Sequence, residues 1–355
     1  MWLYKLDPEG DVLLTLHNPD ALFAVWHEDW DKDGSSIHKD QSSIEQNVPP
    51  PGDDPQSESN AHSDNEAPFT VQFLLSSKHL ILASKYFKST LCGPWKEGVS
   101  PDSDNVRHIE AEDWGVYSML FLMRVIHGYN SKVPRDLPLE TLAKIAVLVD
   151  YYQCHEAVML WSDIWIESLK ESIPTTFNRD LILWILVAKV FEKDDLFKKA
   201  TKVALEDCRG ELPTLDLPIM EVANKINEKR QEFISRVFAH MYDLLGLLRE
   251  QKKGCSFECS SILLGALTIQ LHEKGILDRQ PTFPYPGHSI SSATSMILNF
   301  RSPSGMSWRH HSHACKLPSL FAHISDEPVE GLELLAVKEI GSKGSQKSTN
   351  NKNKK

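Results

Sequence analysis

The chain has 355 residues, 41% of them hydrophobic, with a formal net charge of -11 and an isoelectric point near 5.8. That length accommodates two domains with cores of their own, and the acidic balance speaks against the concentrated basic surface of a nucleic-acid-binding protein. No apolar run reaches the roughly 20 residues needed to cross a bilayer.

The amino terminus lacks the basic region, apolar core and small-residue cleavage site of a secretion signal. Six cysteines in the whole chain are too sparse for a disulfide framework. The expectation is an intracellular protein of nucleus or cytoplasm, without membrane attachment.

In chain order, Asp11–Leu16 reads as a strand, Asn18-Pro19-Asp20 as a turn and Leu22–Trp26 as a second short strand within a first segment, 1–30. Over 31–68 Ser, Asp, Pro, Gln and Asn dominate and aromatic residues are absent. Such a stretch buries too little apolar area to offset chain entropy, which predicts a disordered acidic insertion. The rest of the first domain runs over 69–170. Phe69–Leu75 is a strand, a helix starts near the serines that follow, and Ser84–Leu91 is helical, ending at Gly93-Pro94. Val106–Ile109 is a further strand. Trp114–His127, Pro138–Tyr152 and Ala157–Leu169 follow as helices, the last with Leu160, Trp161 and Ile164 on its inner stripe.

After Ile173-Pro174 the pattern turns helical, over 174–280. Leu181–Phe191 is apolar nearly all round and reads as a buried central helix. Asp195–Leu205 is amphipathic, and Ile219–Leu248 is long. Arg230 on the seam of that long helix favours ordinary packing over a coiled coil. Ser260–Glu273 is the last clear helix, with Ser260 or Ser261 as its cap. The region 281–338 is rich in Pro, Ser and His and reads as loop as far as Pro318, and 339–355 is a disordered Lys/Asn tail. The fold class is α+β, a small sheet flanked by helices and followed by a mainly α-helical region.

Several of these runs carry a resemblance. Phe73, Leu75, Leu80, Ser84 and Phe87 fall at the offsets by which a BTB/POZ domain passes from its sheet into its first helical pair. Asp11-Val12 before a hydrophobic strand, Ile109-Glu-Ala-Glu-Asp113 before an aromatic helix, and Leu142–Tyr152 are similar to its opening, later strand and closing segment. The runs Ser77–Ser84, Gly93–Gly98, Cys154–Ala157 and Cys255–Leu267 resemble the BTB/POZ proteins of fungi. That resemblance implies a non-enzymatic adaptor that binds protein partners, itself included as a homodimer. Alternatives are a substrate adaptor on a cullin-type ubiquitin-ligase scaffold and a transcription-associated regulator acting through a partner. Three departures qualify it. Ser76-Ser77 stands where many members have His-Lys, the acidic insertion interrupts the first strands, and no zinc-finger array or kelch repeat is present.

Trp95-Lys-Glu97 matches a hydrophobic-x-Glu pattern that in some BTB domains meets a cullin-type scaffold. Phe87, Trp95 and Glu97 are therefore the candidate partner-contacting residues, although so loose a pattern also recurs by chance.

One constellation suits metal. Cys255-x3-Cys259, with His310, His311, His313 and Cys315 downstream, offers thiolates and imidazoles of the kind tetrahedral zinc takes. The candidate set is Cys255, Cys259, His313 and Cys315, with His311 as the alternative to His313. The competing reading is core cysteines and surface histidines. A metal-dependent enzyme would have to be built on the same residues. The acidic groups at Glu110–Asp113 and Asp194-Asp195 read as helix-start charges. The sequence carries no Gly-rich phosphate loop after a strand, no Gly-x-Ser-x-Gly and no His-Glu-x-x-His.

Overall fold

The computed structural model describes residues 2–27, 69–93, 106–303 and 315–337. The insertion expected over 31–68 and the tail expected over 339–355 lie outside the described residues, as do Trp95, Glu97, His310, His311 and His313. The architecture is α+β, a small four-stranded sheet followed by a mainly helical carboxy-terminal region. The chain divides into two compact units. One comprises residues 1–173, 182–193 and 215–218, the other 174–181, 194–214 and 219–355.

In the first unit the strands are β1 (Trp2–Lys5), β2 (Val12–His17), β3 (Thr70–Leu75) and β4 (Arg107–Glu112), in the spatial order β1-β3-β2-β4. β2 and β3 are antiparallel, with Val12 opposite Leu75 and Leu16 opposite Val71. β1 runs parallel to β3, and β4 parallel to β2. Alternation sets the faces: Val71, Phe73 and Leu75 of β3 are buried, as are Val12, Leu14 and Leu16 of β2.

From β3 the chain enters α1 (Ser77–Ala83) and α2 (Lys85–Cys92). The break between them is at Ser84, whose backbone is extended and whose Oγ accepts from the Phe87 N–H. An N-cap of this kind satisfies one of the four donors that a helix start leaves open. The Ser84 hydroxyl also donates to the Tyr152 carbonyl at 2.5 Å. At the start of α1 the Asp11 carboxylate accepts from the Ser77 N–H at 2.8 Å and the Ser77 hydroxyl at 2.7 Å. Nearby, His127 Nε2 accepts from the Ser76 N–H at 3.0 Å, which leaves Nδ1 to donate to the Met123 carbonyl.

The unit continues with α3 (Val116–Ile126), α4 (Leu139–Tyr152) and α5 (His155–Leu169). α3 packs on both α4 and α5. Phe87 lies stacked on Tyr152, ring centroids 4.7 Å apart, within a group that also takes in Tyr86, Tyr151 and Trp114. α6 spans Arg179–Val190, and every residue from Leu181 to Ala188 is buried, as its all-round apolar pattern requires.

The second unit contains α7 (Asp194–Asp207), α8 (Met220–Arg249), α9 (Phe257–Glu273), α10 (Ile290–Leu298) and the short α11 (Ala322–Ser325). α8 packs against α7, α9 and α10, so it is a packed helix within its unit. Arg230 faces inward from it and donates to the main-chain carbonyls of Pro284, Tyr285 and His288. Asp194 and Asp195 sit in the first turn of α7, where carboxylates offset the helix dipole.

Several expectations are corrected. Leu22–Trp26 is not a strand: Asp20 and Ala24 have positive φ, and Leu22 is 91% exposed. The missing strand is β1, only four residues long. Glu110 and Glu112 lie on β4 rather than at a helix start. Glu110 pairs with His17, and Asp113 accepts from Asn18. On α5 the buried face is Val158, Trp161, Ser162, Trp165 and Ile166, which leaves Leu160 70% exposed. The loop expected over 281–318 contains α10, held by Ile290, Ala293 and Ile297 on its inner face and by a Ser289–Ser292 capping box.

Candidate metal centre

Three cysteines of the second unit converge. Their Sγ atoms, from Cys255, Cys259 and Cys315, all lie within 4.8 Å of one another. Cys255 is exposed, Cys259 buried and Cys315 in between, and none is in a disulfide.

The start of α9 builds two of the three positions. Gly254 has φ +97°, and a Cβ there would stand 2.6 Å from Ser260 Oγ; only glycine meets both constraints. The chain therefore turns sharply just ahead of Cys255. Ser256, not Ser260 or Ser261, is the cap: its side chain accepts from the Cys259 N–H. Ser260 and Ser261 lie inside the helix and donate back to the carbonyls of Ser256 and Phe257. Cys255 thus precedes the helix and Cys259 occupies its first turn. The Glu258 carboxyl is held below the usual carboxylate range by its own N–H and by Ser256.

Two polar clamps bring in the third. Buried Gln270 of α9 donates to the Arg301 carbonyl at 3.0 Å and accepts from the Arg301 N–H at 2.6 Å. Ser302 Oγ accepts from the Leu317 N–H at 2.9 Å, two residues past Cys315. Phe300 and Phe321, both buried, pack with ring centroids 5.7 Å apart. The sequence signalled the cysteines by residue type. It did not signal Gln270 or Ser302, whose partners are main-chain groups far along the chain.

The donor set fits a metal ion of borderline or soft character. Thiolates at about 2.3 Å from a tetrahedral zinc stand about 3.8 Å apart, so small rotations of these side chains suffice to close on one. Partial burial, with the Cys259 and Cys255 thiols beside it, pushes the Cys315 thiol up to about 11. A bound cation reverses that balance by stabilising the thiolates. Of the sequence-derived set, Cys255, Cys259 and Cys315 are brought together, and His313 and His311 are outside the described residues.

The candidate partner-contacting residues of the sequence fare differently. Phe87 is fully buried in the first unit and is a core residue, because its ring fills the space against Tyr152. The first unit does carry an open concavity of 770 Å³, lined by Ile81, Leu82, Lys85, Lys88, Gln153 and His155 among others. Leu82 stands 88% exposed at its edge. No helix among the described residues is long and apolar enough to cross a membrane. Compared with protein-family models, curated proteins and solved structures, the chain matches none.

Proposed function

We propose that the chain is a non-enzymatic adaptor that binds protein partners through a BTB/POZ-like first unit and carries a zinc ion on Cys255, Cys259 and Cys315 of the second. The observation supporting the adaptor reading is the element order β2, β3, α1, α2, β4, α3, α4, α5 on one small sheet. It is the order that the resemblance of Phe73–Phe87 and its neighbours implies. The exposed Leu82 beside an open concavity adds a surface on which a partner can bury apolar area.

Quantitative cross-linking of the full chain, wild type against Leu82→Asp, tests this reading. A defined set of partners lost in the variant is the expected result, and an identical set from both proteins counts against it. Light scattering at micromolar concentration reports the homodimer. Cullin-scaffold capture compared between wild type, Trp95→Ala and Glu97→Ala decides the ligase alternative, and equal capture by all three removes that motif.

The zinc reading rests on the three converging thiols. The expected fourth donor is His313 or, in its place, His311, and Ala variants of each separate them. Tag-free protein is expected to hold about one equivalent of zinc, and less than about half an equivalent refutes it. Four protein ligands make the site structural, since a catalytic zinc keeps one position open. Counting them therefore separates this reading from a metal-dependent enzyme.

A further inference from the structure

The three thiols differ in access and in how firmly the backbone holds them. Cys259 is 2% exposed and sits in the first turn of α9, with its N–H bonded to Ser256 Oγ at 3.2 Å. Cys255 is exposed and precedes the cap, next to a glycine in the left-handed region. Cys315 lies on a separate segment and is within reach of both sulfurs. A solvent-borne oxidant therefore meets Cys255 first. The nearest thiol not tied into a helical turn is Cys315.

We propose that the trio is a peroxide-responsive latch, in which hydrogen peroxide joins Cys255 to Cys315 as a disulfide and releases the metal. This rests on the zinc reading for the released ion, but not for the thiol chemistry. The Cys255 sulfur attacks one peroxide oxygen, the O–O bond breaks, hydroxide leaves and takes up a proton as water, and a sulfenic acid forms. The Cys315 thiol then attacks that sulfur, giving up its proton to water. The S–S bond forms and the sulfenic oxygen leaves as hydroxide, which takes up a second proton. In sum two thiols and one hydrogen peroxide give one disulfide and two waters. Two electrons pass from sulfur to the peroxide. A zinc ion held by the trio would be left with the Cys259 thiolate alone of the three and would be released. Thiol exchange with an external dithiol reverses the step.

The experiment uses the whole 355-residue chain with Cys92→Ser, which removes the other exposed cysteine of the described residues. The protein is treated with hydrogen peroxide. A chelating dye reads zinc release, and differential alkylation with mass spectrometry maps the thiols. Expected are loss of about one zinc equivalent, a Cys255–Cys315 disulfide with Cys259 reduced, and recovery with dithiothreitol. Cys259→Ser is expected to form the same disulfide, and Cys315→Ser to leave a Cys255 sulfenic acid that dimedone traps. Retained zinc with all three thiols reduced, or a disulfide that omits Cys255, overturns the proposal. Absence of zinc from untreated protein counts against the metal reading alone, because the disulfide map of that same sample still decides the thiol step.

Discussion

Arg230 offers the sharpest test of how the second unit is held. Its side chain is fully buried on α8. Nη1 donates to the carbonyls of His288 at 2.6 Å and Tyr285 at 3.3 Å, and Nη2 to that of Pro284 at 2.8 Å. Nε has no hydrogen-bond partner among the described residues. Burial pulls the guanidinium below its ordinary range, against nearby Cys208 and Glu211, which raise it. Arg230→Met keeps the apolar stem and removes the charge. Each part-buried carbonyl left without its donor costs at most about 1–3 kcal/mol. The 3.3 Å contact is weak, so two carbonyls carry most of the loss, about 2–6 kcal/mol. Relief of the buried cation offsets part of this, leaving a net destabilisation of about 2–3 kcal/mol. Arg230→Ala adds a cavity and is expected to cost about 4 kcal/mol. Urea unfolding followed by circular dichroism measures the change, and hydrogen exchange at the Tyr285 and His288 amides localises it. Those amides bond within the 282–288 turn, so they should exchange faster in both variants. An Arg230→Met protein within about 0.5 kcal/mol of wild type, with both amides equally protected, would refute the reasoning.

Phe87→Ala should destabilise the first unit by about 3–5 kcal/mol, measurable by thermal melting, because the ring is fully buried against Tyr152; a loss under about 1 kcal/mol would contradict that packing. Burial raises the Asp11 carboxyl, but the two Ser77 bonds and Arg107 outweigh it and leave it below 3.8. Its contribution is therefore complete at neutral pH and lost as acid takes the pH down through that lowered value. The stability gap between wild type and Asp11→Asn should close over that acidic range, and a constant gap would show the charge to be irrelevant. Gly331→Ala should melt at a lower temperature than wild type, since its Cβ would stand 1.9 Å from the Lys198 carbonyl oxygen. Chelation should raise exchange at the Leu317 amide while the Leu332 amide stays protected, and equal loss at both would make the metal a global support.

What the sequence revealed follows from which forces are local. The strands β2 and β3 and the helices α4, α5 and α7 declare themselves through apolar periodicity, because burial of one face forms them, and α6 through its unbroken apolar run, because it is buried on every side. β1 escapes notice because four residues show no period, and its place comes from pairing with β3 across the long separation to Thr70. The α5 stripe was misjudged by one position because Leu160 is apolar yet exposed, and composition cannot tell which of two adjacent residues faces in. α10 was hidden by its serines, which suggest loop until Ser289 and Ser292 are seen capping each other. The cysteine trio was legible by residue type. The clamps that deliver Cys315 were not, since Gln270 and Ser302 act on main-chain groups that only the tertiary path brings near.

Two kinds of attachment hold the 315–337 segment to the second unit, and they differ in what can undo them. At its far end the Leu332 N–H donates to buried Thr201 Oγ1, and Lys198 pairs with Glu330 and Glu333. Arg236 adds two hydrogen bonds to Glu327, and Phe321 packs on Phe300. The surface ion pairs add little individually; the buried ring and the buried hydroxyl carry more, and neither responds to redox state. At its near end Cys315 sits beside the sulfurs of Cys255 and Cys259, whose state, on the reading proposed above, is set by metal and oxidant. A change there can alter the path of the chain about residue 315 without releasing the rest. Were those anchors and the Ser302–Leu317 bond absent, loss of metal would free the whole segment and the trio could serve only as a structural staple. With them in place, the near end can change state while the unit stays folded, which is the property a reversible latch requires.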